Sequence, residues 1–373
     1  MKLKNTLLIS SFFFCLTVFF PARVLAFEGQ PGNIAGQENE DAYNNNEAQE
    51  EEKEFDAGEF VFEHIADSHD WHILTMPDGR HVSLYLPVIV YSKNKGLNIF
   101  SSRHLAHGHR YKGFEIMQEG ELEGKIVETD DKGRVNTEYI PLDLSLTKNV
   151  AAMLFAAALL LWLFLSLARS YRKTGISEPR GIQRFLEPLV LFVRNDIAIP
   201  NIGEDKYMKY MPYLLTVFFF ILINNLLGLV PVFPGGANVT GNIGVTFTLA
   251  FFSMIIINVN GSKGYWRHIF NTPGVPWWLK FPLPLMPVVE LIGVVAKPFA
   301  LMIRLFANIT AGHIVVLSLV SLIFIFKSLT MAPLSVVMVL FMDLIEIIVA
   351  FLQAYIFTLL SALFIGLAVV EDH

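Results

Sequence analysis

Charge and cysteine are what this sequence has least of. Only 17% of its residues are charged and 53% are hydrophobic. A soluble globular domain averages about 25% charged residues. The shortfall excludes an ordinary soluble domain and points to a membrane before any segment is delimited. No basic stripe is present, which excludes a nucleic-acid partner. No glycine-rich loop ends in a Lys-Ser or Lys-Thr pair, so the chain has no phosphate cradle of the P-loop type. Cys15 is the only cysteine, and it lies in an N-terminal segment that reads as removable. Without it the chain has neither disulfides nor thiol chemistry.

That N-terminal segment, residues 1–26, has the parts of a signal peptide. Lys2 and Lys4 are a positive start, Leu7 to Phe20 an apolar stretch, and Val24-Leu25-Ala26 small residues at a cleavage site. An uncleaved anchor is the alternative. Residues 27–57 follow as an acidic linker, polar and almost free of aliphatic side chains. Such a stretch buries too little apolar surface to offset its ordering entropy and is expected to be disordered.

Residues 58–142 are expected to form a small β-rich extramembrane region, periplasmic if the signal acts. His81 to Tyr91 reads as one strand, rich in β-branched and aromatic residues. Further short strands are predicted at Phe114–Met117 and Lys125–Glu128. Seven of the ten histidines lie here: His64, His69, His72, His81, His104, His107 and His109. Their spacing fits no closed zinc site and no cysteine accompanies them, so hydrogen-bonded or solvated histidines are the better reading. No cofactor or metal is expected.

The remainder, 143–373, is expected to be an all-α membrane domain of about five transmembrane helices. Spans are predicted at Val150–Ala168, Tyr213–Val232 and Val245–Val259. Arg169, Arg172, Lys173 and Arg180 follow the first, and Lys263, Arg267, His268 and Lys280 the third. Positive charge at these ends assigns them to the cytoplasm. Residues 181–200 read as an amphipathic, surface-lying segment. Pro231 to Asn242 is an outer loop dense in Gly, Pro and Asn.

Two apolar stretches are too long for upright spans. Val288–Phe326 and Pro333–Val370 would each run well over the roughly 30 Å of a hydrocarbon core as continuous helix. Each is expected either to tilt strongly or to break, the first near Pro298 or Gly312. Together they form a long helical hairpin whose polar groups need a protein neighbour.

This hairpin carries the ionisable residues. Each costs about 2.5–3.5 kcal/mol inside a membrane helix. Glu290, Lys297 and Arg304 are spaced by seven, and Asn308 follows by four, so all four share one helical stripe. His313 falls about 180° from Arg304. Asp343, Glu346, Ala350 and Gln353 form a stripe on the last helix. Arginine stays charged at low dielectric, which suits a barrier that attracts a carboxylate and carries no proton. His313 and Glu346 can gain and lose protons. Lys297 with Glu290 is equally readable as a structural ion pair.

These residues carry a family resemblance. Arg304-Leu305-Phe306-Ala307-Asn308-Ile309-Thr310-Ala311-Gly312-His313 resembles the signature of subunit a of the F-type ATP synthase. Glu346 with Gln353-Ala354-Tyr355-Ile356-Phe357 is similar to its last helix, and Asn224-Asn225-Leu226-Leu227-Gly228-Leu229-Val230-Pro231 to its second-span ending. The resemblance implies a stator in a bacterial inner membrane, beside a rotating c-subunit ring and the b subunits of a peripheral stalk, with the C-terminus cytoplasmic. It implies that Arg304 faces the ring carboxylate and separates two aqueous half-channels. Asn308 would lie on the Arg304 face and Gln353 close by. His313 and Glu346 would line the outer half-channel, in the order typical of the mitochondrial version. Asp343, Glu290 and Lys297 are further half-channel candidates. One departure concerns the outer loop: the family often has an acid there, and Gly235–Asn242 has none. The rivals are a secondary ion-coupled transporter, which would show internal repeats, and a purely structural membrane anchor.

Overall fold

In this computed structural model the chain is described over residues 65–75, 81–117, 140–174, 181–230, 234–271, 285–326 and 332–369, with scattered positions in 58–61 and 122–135. The signal segment at 1–26 and the acidic linker at 27–57 lie outside the described residues.

Among the described residues, the N-terminal unit has three small antiparallel sheets. Strands β1 (Asp70–Thr75) and β2 (His81–Tyr85) pair as a hairpin. Strand β3 (Pro87–Ser92) lies between β4 (Gly96–Ser101) and β7 (Leu142–Asp143), and β5 (Phe114–Ile116) pairs with β6 (Ile126–Glu128). The single strand expected over His81–Tyr91 is therefore two strands in different sheets. Pro87 explains the division: it has no N–H to donate and is accommodated as the first residue of a strand. Val88, Val90, Phe100, Leu105, Phe114 and Ile126 form this unit's own core. Ser92 Oγ donates to the buried Glu128 carboxylate at 2.5 Å.

Helix α1 (Lys148–Thr174) follows directly. Helix α2 (Ile182–Phe192) continues through a π-helical turn, Val193–Ala198, into the short α3 (Ile199–Ile202). The segment expected to be amphipathic keeps one face exposed along its length, with Arg184, Phe185, Arg194, Asn195, Asp196 and Pro200 outward. Val193, Ile197, Ala198 and Ile202 are buried in the main core, against the last helix. Helix α4 (Tyr207–Leu229) begins six residues before the expected span and ends before Pro231. Helix α5 (Ile243–Val259), capped by the Asn242 side chain, turns by 103° into α6 (Lys263–Phe270), capped by Ser262.

Helices α7 (Leu285–Phe326) and α8 (Ala332–Val369) are the long hairpin. The 42 residues of α7 extend about 63 Å at 1.5 Å per residue. Helix α7 runs unbroken through both Pro298 and Gly312, so of the two alternatives, tilting or breaking, the break does not occur. Pro298 is buried against neighbouring helices, the setting in which a membrane helix tolerates proline. Among the described residues, four helices are long and apolar enough to cross a membrane, or five if the bent α5–α6 pair is one span. The chain is thus an all-α, multi-pass membrane protein with a small β-rich unit.

Helix α8 is the hub of the helical part, packing on α3, α4, α5 and α7. It approaches the chain at Asn201 closely through Gly366, where a Cβ would lie 1.9 Å from the Asn201 carbonyl oxygen. Its last carbonyls accept from the Ser262 N–H at 2.8 Å and the Lys206 ammonium at 3.1 Å, as helix C-termini require. Gly366→Ala pits a methyl against fixed backbone. It should cost about 1–3 kcal/mol and lower the thermal midpoint of the detergent-solubilised protein; an unchanged midpoint would contradict this packing.

Candidate functional site

Some of the polar residues of α7 and α8 lie in two separate clefts, Asn308, His313 and Glu346 in one and Lys297 in the other. The first is lined by Asn225 and Leu229 of α4, Asn308, Ile309 and His313 of α7, and Glu346, Val349 and Ala350 of α8. Glu346 is buried, and its carboxylate lies against Gly312 in the space a side chain would occupy. A Cβ on Gly312 would meet Glu346 Oε1 at 2.1 Å. Asn225 Nδ2 donates to the Ala350 carbonyl at 3.3 Å, and Thr240 Oγ1 donates to Asn225 Oδ1 at 2.6 Å. The cleft thus combines an imidazole, a carboxyl and two amides in otherwise apolar surroundings.

The second cleft lies toward the other end of α8, among Asn258 and Tyr265, Lys297 and Pro298, and Phe364 and Leu367. Lys297 Nζ is 5.5 Å from the Phe364 ring centroid, a cation–π contact. Among the described residues it forms no ion pair with Glu290. Tyr265 donates to Asn258 Oδ1 at 3.2 Å. From Glu346 to Phe364 along α8 is about 27 Å, so the clefts are well apart.

Arg304 belongs to neither lining. It is exposed on α7, with Lys297 two turns to one side and His313 two and a half turns to the other. Asn308 is exposed on the same face and also edges the first cleft. Asp343 is half-buried one turn before Glu346, and Gln353 is buried two turns beyond it, outside both linings. Glu290 is half-buried near the start of α7. Asn225 is the cleft residue that pattern reading did not single out as a site. Its signal was an adjacent pair of amides, Asn224-Asn225, in an apolar run.

Two of the histidines of the N-terminal unit have partners within it. His69 Nε2 hydrogen-bonds to Asp143 Oδ2 at 2.9 Å, and His104 stacks on Tyr111. No group of three metal-ligating side chains occurs among the described residues.

Comparison with known proteins identifies the architecture. The family model described as ATP synthase A chain matches residues 150–366. The chain belongs to the ATP synthase subunit a family. It resembles ATP synthase subunit a of Chloroherpeton thalassium, 50% identical over 238 residues, which are 62% of this chain and 69% of that protein. It resembles ATP synthase subunit a 2 of Prosthecochloris aestuarii, 46% identical over 282 residues, 73% of this chain and 84% of that one. With the subunit a of an Anaeromyxobacter species it shares 44% identity over 269 residues, 70% and 63% of the two chains. A second family model, described only as a domain of unknown function, matches residues 60–144. Subunit a is the proton-translocating membrane subunit of an ATP synthase and is not itself catalytic; its partners are the other subunits.

The close approach of Glu346 to Gly312 yields a test. Gly312→Ala should push the carboxylate aside and reduce ATP-driven proton pumping in membrane vesicles severalfold, with the subunit present in normal amount. Undiminished pumping would contradict the contact.

Proposed function

We propose that the two clefts are the inner parts of two aqueous half-channels and that Arg304 is the barrier between them. The observation that carries this reading is the position of Arg304: exposed on α7, between a cleft holding Asn308, His313 and Glu346 and another holding Lys297. A proton enters from one side of the membrane, passes His313 and Glu346, and neutralises a carboxylate on a rotating c-subunit ring. It rides the ring and leaves through the second half-channel, by way of the Lys297 region and Glu290. Arg304 holds the arriving carboxylate in its charged form and, being unable to release its own proton, blocks direct leakage. Asp343 extends the first path, and Gln353 supports the Arg304 region from α8.

The exposed faces of α7 and α8 favour such a partner. The apolar windows of these helices are only 6% and 17% buried within this chain. An arginine on that face, in lipid, is far costlier than one facing a ring carboxylate. Helices of about 63 and 57 Å exceed the bilayer thickness, so the hairpin lies strongly tilted along the ring. The b subunits of the peripheral stalk brace the remaining lipid-facing surface. The domain limits follow: a signal segment at 1–26, an acidic linker at 27–57, a periplasmic β-rich region at 58–142 and the membrane domain at 143–373. Orientation rests on charge. Arg169 and Arg172 at the far end of α1, with Lys206 and Lys263 near the end of α8, put that face and the C-terminus in the cytoplasm of a bacterial inner membrane.

Arg304→Ala in vesicles carrying the whole complex should reduce ATP-driven proton pumping to background, with the complex still assembled. Retained coupled pumping would contradict the barrier role.

A further inference from the structure

The outer loop between α4 and α5 has an unusual environment for a membrane-surface loop. Ala237, Val239 and Thr240 are exposed by only 2%, 2% and 1%. Residues 67–71 of the N-terminal unit meet this region. Trp71 is 5% exposed and belongs to the same apolar cluster as Ala237, Val239 and the membrane helices. Its indole N–H donates to the Gly235 carbonyl at 3.2 Å, across 164 residues of sequence.

The same segment binds the outer end of α1. Asp67 Oδ1 accepts from the Asn149 N–H at 3.1 Å, and the Ser68 carbonyl accepts from the Lys148 N–H at 2.8 Å. Two of the orphan donors of that helix start are therefore supplied with acceptors by the β-rich unit. His69 joins the segment to β7 through Asp143. Residues 67–71 thus bridge helix α1, the outer loop and a strand.

From the loop, two hydrogen bonds lead to the first cleft. Thr240 bonds Asn225, and Asn225 both lines the cleft and bonds the Ala350 carbonyl. A methyl on Gly228 would touch both Ala237 O, at 3.4 Å, and His313 Nε2, at 3.5 Å. Two buried amide atoms here, Asn149 Oδ1 on α1 and Asn238 Nδ2 on the loop, have no protein partner. Buried polar atoms of this kind are ordinarily satisfied by water. The loop has no ionisable side chain from Gly235 to Asn242, whereas the covering segment carries Asp67 and His69.

We propose that the β-rich unit is the outer wall of the water path into the first cleft, seated there by Trp71. This assigns the unit a role in proton entry, with Trp71 as a positioning residue. The inference rests on the reading of the first cleft as a half-channel.

The test uses the complete ATP synthase in spheroplasts, with Cys15→Ser and Val349→Cys placing one thiol in the first cleft. A membrane-impermeant cationic thiol reagent is added outside, and labelling of this chain is followed by mass spectrometry. With Trp71 intact the thiol should react slowly. Trp71→Ala should raise the rate at least about fivefold, and Trp71→Phe, which keeps the ring and loses one hydrogen bond, by a smaller factor of about two to five. Rescue of the slow rate by Phe relative to Ala separates seating of the wall from general loss of structure. Should Trp71→Ala fail to assemble, the Phe variant alone decides. A reactive thiol whose rate is the same in every assembled Trp71 variant would overturn the wall proposal and leave the half-channel intact. A thiol unreactive from outside in all of them would overturn the half-channel reading and the wall with it.

Discussion

A permanent positive charge on the open face of a membrane helix needs an answering negative charge. Among the described residues Arg304 forms no salt bridge. Arginine does not escape the cost by losing its proton. The exposed α7 face, the proposed tilt of two overlong helices and the separation of the two clefts are all accounted for by the proposed carboxylate-bearing partner opposite. The small residues beside Arg304, Ala307 and Ala311, are also exposed. They leave that face flat enough for another helix to approach closely.

The first cleft shows how the fold brings an imidazole, a carboxyl and two amides together without a rigid ligand set. Gly312 supplies room for the Glu346 carboxylate, and Asn225 ties α4 to α8 through the Ala350 carbonyl. The groups come from three helices, so the cleft depends on the α4–α7–α8 packing and not on any one segment. Helix α8 organises this packing, and its fit around Asn201 and Lys206 at the opposite end keeps it in register.

Much of this was legible in the residues. Hydropathy and length exposed the long hairpin, and the seven-residue spacing of Glu290, Lys297 and Arg304 marked one stripe. The nine-residue offset to His313 put it on another face, and the structure has Arg304 exposed with His313 in the cleft. Other features were hidden because they depend on contacts distant in sequence. Nothing local says that Gly312 receives a carboxylate from 34 positions away, or that Trp71 reaches Gly235. Strand β4 was missed because Leu97 and Ile99 point outward while Asn98 points toward the half-buried side. That alternation does not mark a core-facing strand. At Pro298 the sequence left a break open as one alternative, because the burial that lets the helix continue there is a tertiary contact. The same residue type, Pro87, correctly explains a strand boundary that the β-branched run obscured.

The most direct measurement is disulfide cross-linking between this chain and the c subunit in the assembled complex. Single cysteines at Ala307, Ala311 and Leu305, each in the Cys15→Ser background, are paired with a cysteine next to the ring carboxylate and oxidised. The account predicts cross-linked product from positions 307 and 311, which share the exposed face with Arg304, and none from the buried position 305. Cross-linking from 305 with none from 307 or 311 would contradict it.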